Sequence, residues 1–142
     1  MTTLFTRIIE GEIPGRFVWR DDQAVAFLTI APITPGHVLV VPVAEVDHWV
    51  DLDPDLAGHL MQVAQHIGVA QMTVFKPVRV GMIIAGLEVP HCHLHVIPID
   101  AESDLSFAKA DHDPDGGALD SAMTRLRTAL RDAGHGDAVP AD

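Results

Sequence analysis

The run His91-Cys92-His93-Leu94-His95-Val96-Ile97-Pro98 alternates imidazole with apolar side chains. Successive side chains of a β-strand point to opposite faces, so a strand here would set all three imidazoles on one side. The flanks agree: Val89, Val96, Ile97 and Ile99 are strand formers, and Pro90 and Pro98 sit where they need not donate into the middle of a ladder. A chain carrying this segment must build a sheet around it, and the function is to be sought along that row.

Partner strands can be read on either side. Residues 4–10 have the pattern of a short helix closed by Gly11, and Ile13-Pro14-Gly15 turns the chain into a strand over 16–21. Asp21-Asp22-Gln23 supplies a hairpin turn, 24–30 a second strand, Pro32-Ile33-Thr34-Pro35-Gly36 another turn and 37–43 a third strand. Three such strands make an antiparallel meander. The stretch 23–44 has no formal charge, but Pro32, Pro35, Gly36, His37 and Pro42 exclude a membrane helix.

Asp53-Pro54-Asp55 is an N-cap with proline at the first helical position, and Leu56, Leu60, Val63 and Ile67 recur at helical spacing, which predicts an amphipathic helix over 54–73. Pro77 ends it, 78–85 reads as a strand, and Gly86 turns toward the histidine strand, the fifth of the sheet. Residues 100–117 read as a surface loop without a core of its own. A last helix puts Leu119, Met123, Leu126 and Leu130 on one face and ends at Gly134. The expectation is an α+β fold: a single domain over 1–134, then a flexible polar tail over 135–142.

Length and composition bound the function. The 142 residues, 48% of them hydrophobic, suffice for one domain with a real core. Twenty acidic against nine basic side chains, a net charge of −11, argue against nucleic acid and anionic membranes as partners. An anionic ligand must then be met inside a pocket. The lone Cys92 supports neither a disulfide framework nor a four-thiolate metal site, and together with an N-terminus free of a secretory pattern it points to the cytoplasm.

Three readings of the histidine row stand side by side. Two of the imidazoles could hold zinc with help from His37, His48 or a carboxylate, although His91 and His95 lie about 13 Å apart on a straight strand, at roughly 3.3 Å per residue. The rings could be structural, each hydrogen-bonded on a half-exposed face, at a desolvation cost that Val or Ile would avoid. In the third reading an extended anion such as a phosphate chain lies along the row. Imidazole is a competent nucleophile at neutral pH and a neighbouring imidazole can assist a departing group, so one row supplies the chemistry without metal or cofactor.

These residues resemble the histidine triad (HIT) family, whose signature is His-φ-His-φ-His-φ-φ with φ apolar, as at His91 to Ile97. The likeness extends to Phe5-Thr6-Arg7-Ile8-Ile9-Glu10-Gly11-Glu12-Ile13-Pro14, to Ala26-Phe27-Leu28 and to Pro35-Gly36-His37-Val38-Leu39-Val40-Val41-Pro42. The resemblance implies a five-stranded antiparallel sheet, a homodimer, and a purine nucleotide or nucleoside phosphate derivative as partner, cleaved at the α-phosphate. It implies that His93 is the nucleophile, forming a nucleotidyl-histidine, that His95 contacts the phosphate and assists the leaving group, and that His91 and His37 complete and orient the cluster. Phe5, Ile8, Ile13, Phe27 and Leu39 fall where the family lines its base pocket.

The chain also departs from the pattern. Thr29 stands where the family commonly has an aspartate for the ribose hydroxyls, Val80 where it has Asn or Gln, and Gly86-Leu87-Glu88-Val89 where it has Gly-Gln-Ser/Thr-Val. These departures motivate an alternative, a nucleotide- or anion-binding module on the same fold with little catalytic activity. Some relatives carry a zinc site built on a cysteine pair, which this chain lacks, so the expectation is metal-free. His48, His59, His66, His112 and His135 read as surface residues, and Trp19 and Trp49 as packing or interface residues.

Overall fold

The computed structural model describes residues 2–141. A short helix α1 (Leu4–Ile9) opens the chain, capped by Thr3, whose hydroxyl accepts the Thr6 N–H. Strands β1 (Phe17–Arg20) and β2 (Ala24–Leu28) form a hairpin whose turn is closed by Asp21 Oδ1, which accepts the N–H groups of Gln23 and Ala24. Strand β3 is Val38–Pro42. Helix α2 (Pro54–Phe75) starts on the Asp53 cap with proline in its first turn and stops at Lys76, whose φ of 50° is left-handed. Strands β4 (Arg79–Ile83) and β5 (Leu94–Ile99) follow, then helix α3 (Gly116–Leu130), capped by Asp115.

The sheet is five-stranded and antiparallel in the order β1-β2-β3-β5-β4. The first three strands form the expected meander; α2 then carries the chain across the sheet to its outer edge, so that β5 returns between β4 and β3. Helices lie over both faces. Val38, Val40, Leu94 and Val96 face α2 and α3 in the main core with Leu60, Val63, Ile67, Leu126 and Leu130. The alternate residues Val25, Phe27, Leu39 and Val41 face α1 and pack on Phe5 and Ile8. Every residue of β2 and β3 is therefore buried, which is why the stretch around them has no formal charge. No helix among the described residues is long and apolar enough to cross a membrane.

Several boundaries move. The strands are shorter than expected at most ends, α2 runs on to Phe75, and α3 begins at Gly116, inside the loop expected over 100–117. Residues 100–117 are not a bare loop: turns of 3-10 helix at Glu102–Asp104 and Phe107–Lys109 fold them, and Leu105 and Ala110 pack on Ile33, Ile97 and Ile99. The residues expected to fray after Gly134 fold back instead. Val139 is 8% exposed and joins the main core, the Arg131 guanidinium donates to Pro140 O, and the His135 ring lies 4.1 Å from that of His66, which stacks on Trp19. The driving force is apolar: Val139 and Ala138 have a hydrophobic surface to cover, which outweighs the polar residues around them.

Candidate active site

Strand β5 begins at Leu94, so only His95 of the three histidines lies on a strand; the expectation of one strand from His91 is corrected here. The cause is Pro42. The register Val40↔Leu94 would bring Pro42 opposite Cys92, and proline has no N–H to continue the ladder. Cys92 N–H turns instead to Val46 O at 2.7 Å, and His91 N–H to Val89 O at 2.8 Å. The alternation of faces survives the change. Cys92 and Leu94 are buried in the main core, while the His93 and His95 rings meet at 4.8 Å on the other side. Phe5 of α1 stands edge-on to His91 and His93, 5.8 and 4.9 Å between ring centres.

Fixed hydrogen-bond partners, all but one of them on the backbone, decide which nitrogen of each ring carries the proton. The Ile33 N–H donates to His37 Nδ1 at 3.0 Å, so His37 is protonated on Nε2 and donates to His95 Nδ1 at 2.9 Å. His95, accepting at Nδ1, must hold its own proton on Nε2. In His93 the order is reversed: Nδ1–H donates to His91 O at 2.8 Å, which leaves Nε2 with its lone pair free. His91 donates from Nε2 to Pro42 O at 2.7 Å and accepts the Thr3 hydroxyl at Nδ1, also at 2.7 Å. The cluster thus offers a lone pair on His93 Nε2 beside an N–H donor on His95 Nε2. Neither atom has a hydrogen-bond partner among the described residues, and both are open to the cleft.

Burial keeps His37, His93 and His95 neutral. It pushes the His37 pKa down to about 3, with the neighbouring His95 and His93 adding repulsion, and His95 down to about 4, with His93 adding. His93 is also lowered by burial, against which the hydrogen bond to His91 O and the Glu88 carboxylate act weakly. The cleft has a volume of about 350 Å³, and Thr29, Glu88, His93, His95 and Phe107 are among its walls. Among the described residues no lysine or arginine lines it, and Glu88 is the only carboxylate that does.

The expected site residues come together in two groups. His37, His93, His95, Thr29 and Glu88 line the cleft, whereas His91 lies fully buried behind them. Phe5, Ile8, Phe27 and Leu39 form one apolar cluster beside the rings, with Ile13 packed on it half-buried, and none of the five lines this cleft. Thr29 Oγ1 accepts Ala31 N–H at 3.1 Å. Val80 is nowhere near: it packs toward α2 on the other face of the sheet, so its apolar character does not bear on the cleft. Leu87 does line the cleft and is 94% exposed.

Three cleft residues on the segment after β5 escaped sequence reasoning. Phe107 meets the His95 ring edge-on at 5.0 Å, and Ala110 and His112 stand with it. An aromatic residue in an otherwise polar loop was the available signal for Phe107. His112 was expected on the surface, as was His59, which meets Asp21 Oδ2 at 2.7 Å, the same oxygen that accepts the Trp19 N–H. Trp19 is accordingly buried, while Trp49 is half-exposed.

The residues do not fit a zinc ion. His37 has both ring nitrogens engaged, the single cysteine is buried away from the rings, and among the described residues no three His, Cys, Asp or Glu side chains converge to hold a metal.

Comparison with known proteins accords with this geometry. The family model described as HIT domain matches residues 10–102. An uncharacterized HIT-like protein of Saccharolobus solfataricus is 33% identical over 100 residues, 67% of this chain and 72% of that protein. A zinc-bound histidine triad family protein from Mycobacterium smegmatis superposes with a TM-score of 0.82 at 27% identity, over 96% of this chain and 98% of the other. A HIT family hydrolase from Legionella pneumophila gives 0.59 at 29% identity, over 68% of this chain and 91% of the other. With His93 and His95 of its signature at one cleft and His91 packed behind them, its fold shared and its sequence matched over most of its length, this chain belongs to the HIT family.

Proposed function

We propose that the protein is a nucleotide hydrolase or transferase that cleaves nucleoside monophosphate derivatives, phosphoramidates or dinucleoside polyphosphates, at the α-phosphate. The observation that carries this reading is the unpaired lone pair on His93 Nε2, open to the cleft beside the His95 Nε2–H. His93 Nε2 attacks the α-phosphorus, a P–N bond forms, and the bond to the leaving group breaks with its electron pair going to the leaving atom. His95 donates a hydrogen bond to that atom as its lone pair develops; the nitrogen of a phosphoramidate, protonated from solvent beforehand, departs as an amine, and a dinucleoside polyphosphate releases a nucleotide as its phosphate anion. The His91 carbonyl takes the increased positive charge on His93 through the Nδ1–H. Water then displaces the imidazole, releases the nucleoside monophosphate and restores the lone pair. The base wall that the resemblance implies at Phe5, Ile8, Ile13, Phe27 and Leu39 gets no support from this cleft, which none of the five lines.

The test is incubation with adenosine phosphoramidate and with a dinucleoside polyphosphate, followed by mass spectrometry of the quenched protein. Turnover with a nucleotidyl adduct on His93, abolished in a folded His93→Ala protein, is the expected result. Silence of the wild type on both substrates overturns it. One observation favours the second reading, a binding module: Thr29 and a cleft without lysine or arginine offer a nucleotide little charge-based grip. Micromolar nucleotide binding without turnover is its signature. A second copy of the chain is the proposed partner, docking on the apolar groove between α2 and β4 where Met61, Val69 and Met72 are exposed beside the unpaired edge of the sheet. The lone cysteine supports a cytoplasmic setting.

A further inference from the structure

One fully buried polar side chain has no part in the chemistry above. Gln71, on α2, has 0% exposure, and its Nε2 donates to Gly36 O and to Val96 O, both at 2.9 Å. Both amide hydrogens are used. The orientation of the amide is thereby settled, because turning it over would press Oε1 against two carbonyl oxygens. Oε1 in its turn is the only buried side-chain polar atom among the described residues left without a partner. The residue therefore makes its two donated bonds while leaving an acceptor dry, a state that an apolar residue of the same length would avoid.

The two carbonyls lie beside the two histidines of the donor chain. Gly36 O belongs to the peptide that leads into His37, and Val96 is the residue after His95. The β3–β5 ladder starts only at Val38↔Val96, so it leaves His37 outside. Its main-chain tie to β2, Thr29 N–H to His37 O, is long at 3.3 Å, and the Thr34 hydroxyl reaches β5 farther off, at Pro98 O. One helical turn beyond Gln71, Phe75 closes over Gly36: a Cβ on that glycine would come within 2.2 Å of the ring. Helix α2 thus grips the turn before His37 at two points, and one of them also holds β5.

We propose that Gln71 is a positioning residue of the histidine cluster. By tying the Gly36–His37 peptide to β5 next to His95, it keeps His37 Nε2–H against His95 Nδ1 and so keeps the His95 Nε2–H turned into the cleft. It touches no substrate; it acts through His37. The kinetic consequence rests on the nucleotidyl-transfer reading above, whereas the effect on the rings does not.

The wild type gives the first measurement: imidazole ¹⁵N shifts must show His95 protonated on Nε2, and protonation on Nδ1 overturns the proposal. In Gln71→Met, which keeps length and apolar volume but has no donor, the His95 Nδ1 resonance is expected to move toward that of an unbonded ring nitrogen. With adenosine phosphoramidate, kcat is expected to fall about 10- to 100-fold while KM stays within about twofold. Should that variant not fold, Gln71→Glu, whose buried acid proton serves one carbonyl, is expected to give a smaller change in the same shifts. A folded variant with wild-type ring shifts overturns the proposal. If the wild type turns over neither substrate, it is the proposed reaction that falls, and the ring shifts alone decide the role of Gln71.

Discussion

At the scale of single residues, the working parts are imidazoles whose ring protons are assigned by fixed hydrogen-bond partners, and burial holds those of His37, His93 and His95 neutral. Their neutrality has a thermodynamic consequence. The folded-state pKa values of His37, about 3, and His95, about 4, lie below the 6.5 of a free imidazole, so the unfolded chain takes up protons in between that the folded chain refuses. Their contribution to stability is present above pH 6.5 and is lost as pH falls toward those lower values. The midpoint of urea unfolding is therefore expected to drop between about pH 7 and about pH 4.5, and to drop less in His95→Asn. That control separates the imidazoles from the carboxylates of Asp21 and Asp104, whose lowered pKa values cause loss only at still lower pH. A variant as pH-sensitive as the wild type would show the ring to be no part of the effect.

At the scale of elements, the turn that leads into His37 is the most constrained. Gly36 has φ of 88° and the Phe75 ring against its Cα, so Gly36→Ala adds a left-handed strain to a steric clash and is expected to cost about 2–4 kcal/mol in urea unfolding. Gly134, at φ of 95° with nothing within 4 Å of an added Cβ, provides the comparison: Gly134→Ala is expected to cost only about 1 kcal/mol. Equal losses would mean that Phe75 gives way. These elements also show how far sequence reasoning reaches. The Asp53-Pro54 cap and the uncharged strands β2 and β3 are local signals that led to the right elements, whereas the imidazole alternation gave the right face but a strand starting three residues too early. What stayed hidden depends on neighbours distant in the chain. The start of β5 is set by Pro42 on another strand, Phe107 gains its place from His95, and Val139 folds back because the main core offers it cover. Gln71 carries no local signal of its role, since only the packed sheet reveals the two carbonyls it serves.

At the scale of the whole molecule, β4 leaves one edge of the sheet unpaired next to the exposed Met61, Val69 and Met72, a surface that a second copy would cover. Light scattering is expected to give twice the chain mass for the wild type and the single mass for Met72→Glu; a monomeric wild type removes the dimer from the proposal. The cleft, for its part, sits in a molecule of net charge −11 and, among the described residues, is lined by Glu88 but by no lysine or arginine. Most proteins that bind phosphates do so less tightly as electrolyte is added, because attraction is screened. Here screening mainly relieves repulsion, so raising ionic strength from about 0.01 M to about 0.15 M, which shortens the Debye length from about 30 Å to about 8 Å, is expected to tighten the capture of a nucleoside monophosphate measured by calorimetry. Such an inverted response would mean that this protein selects its ligand by shape and directed hydrogen bonds, and works best in a medium as salty as a cell's interior.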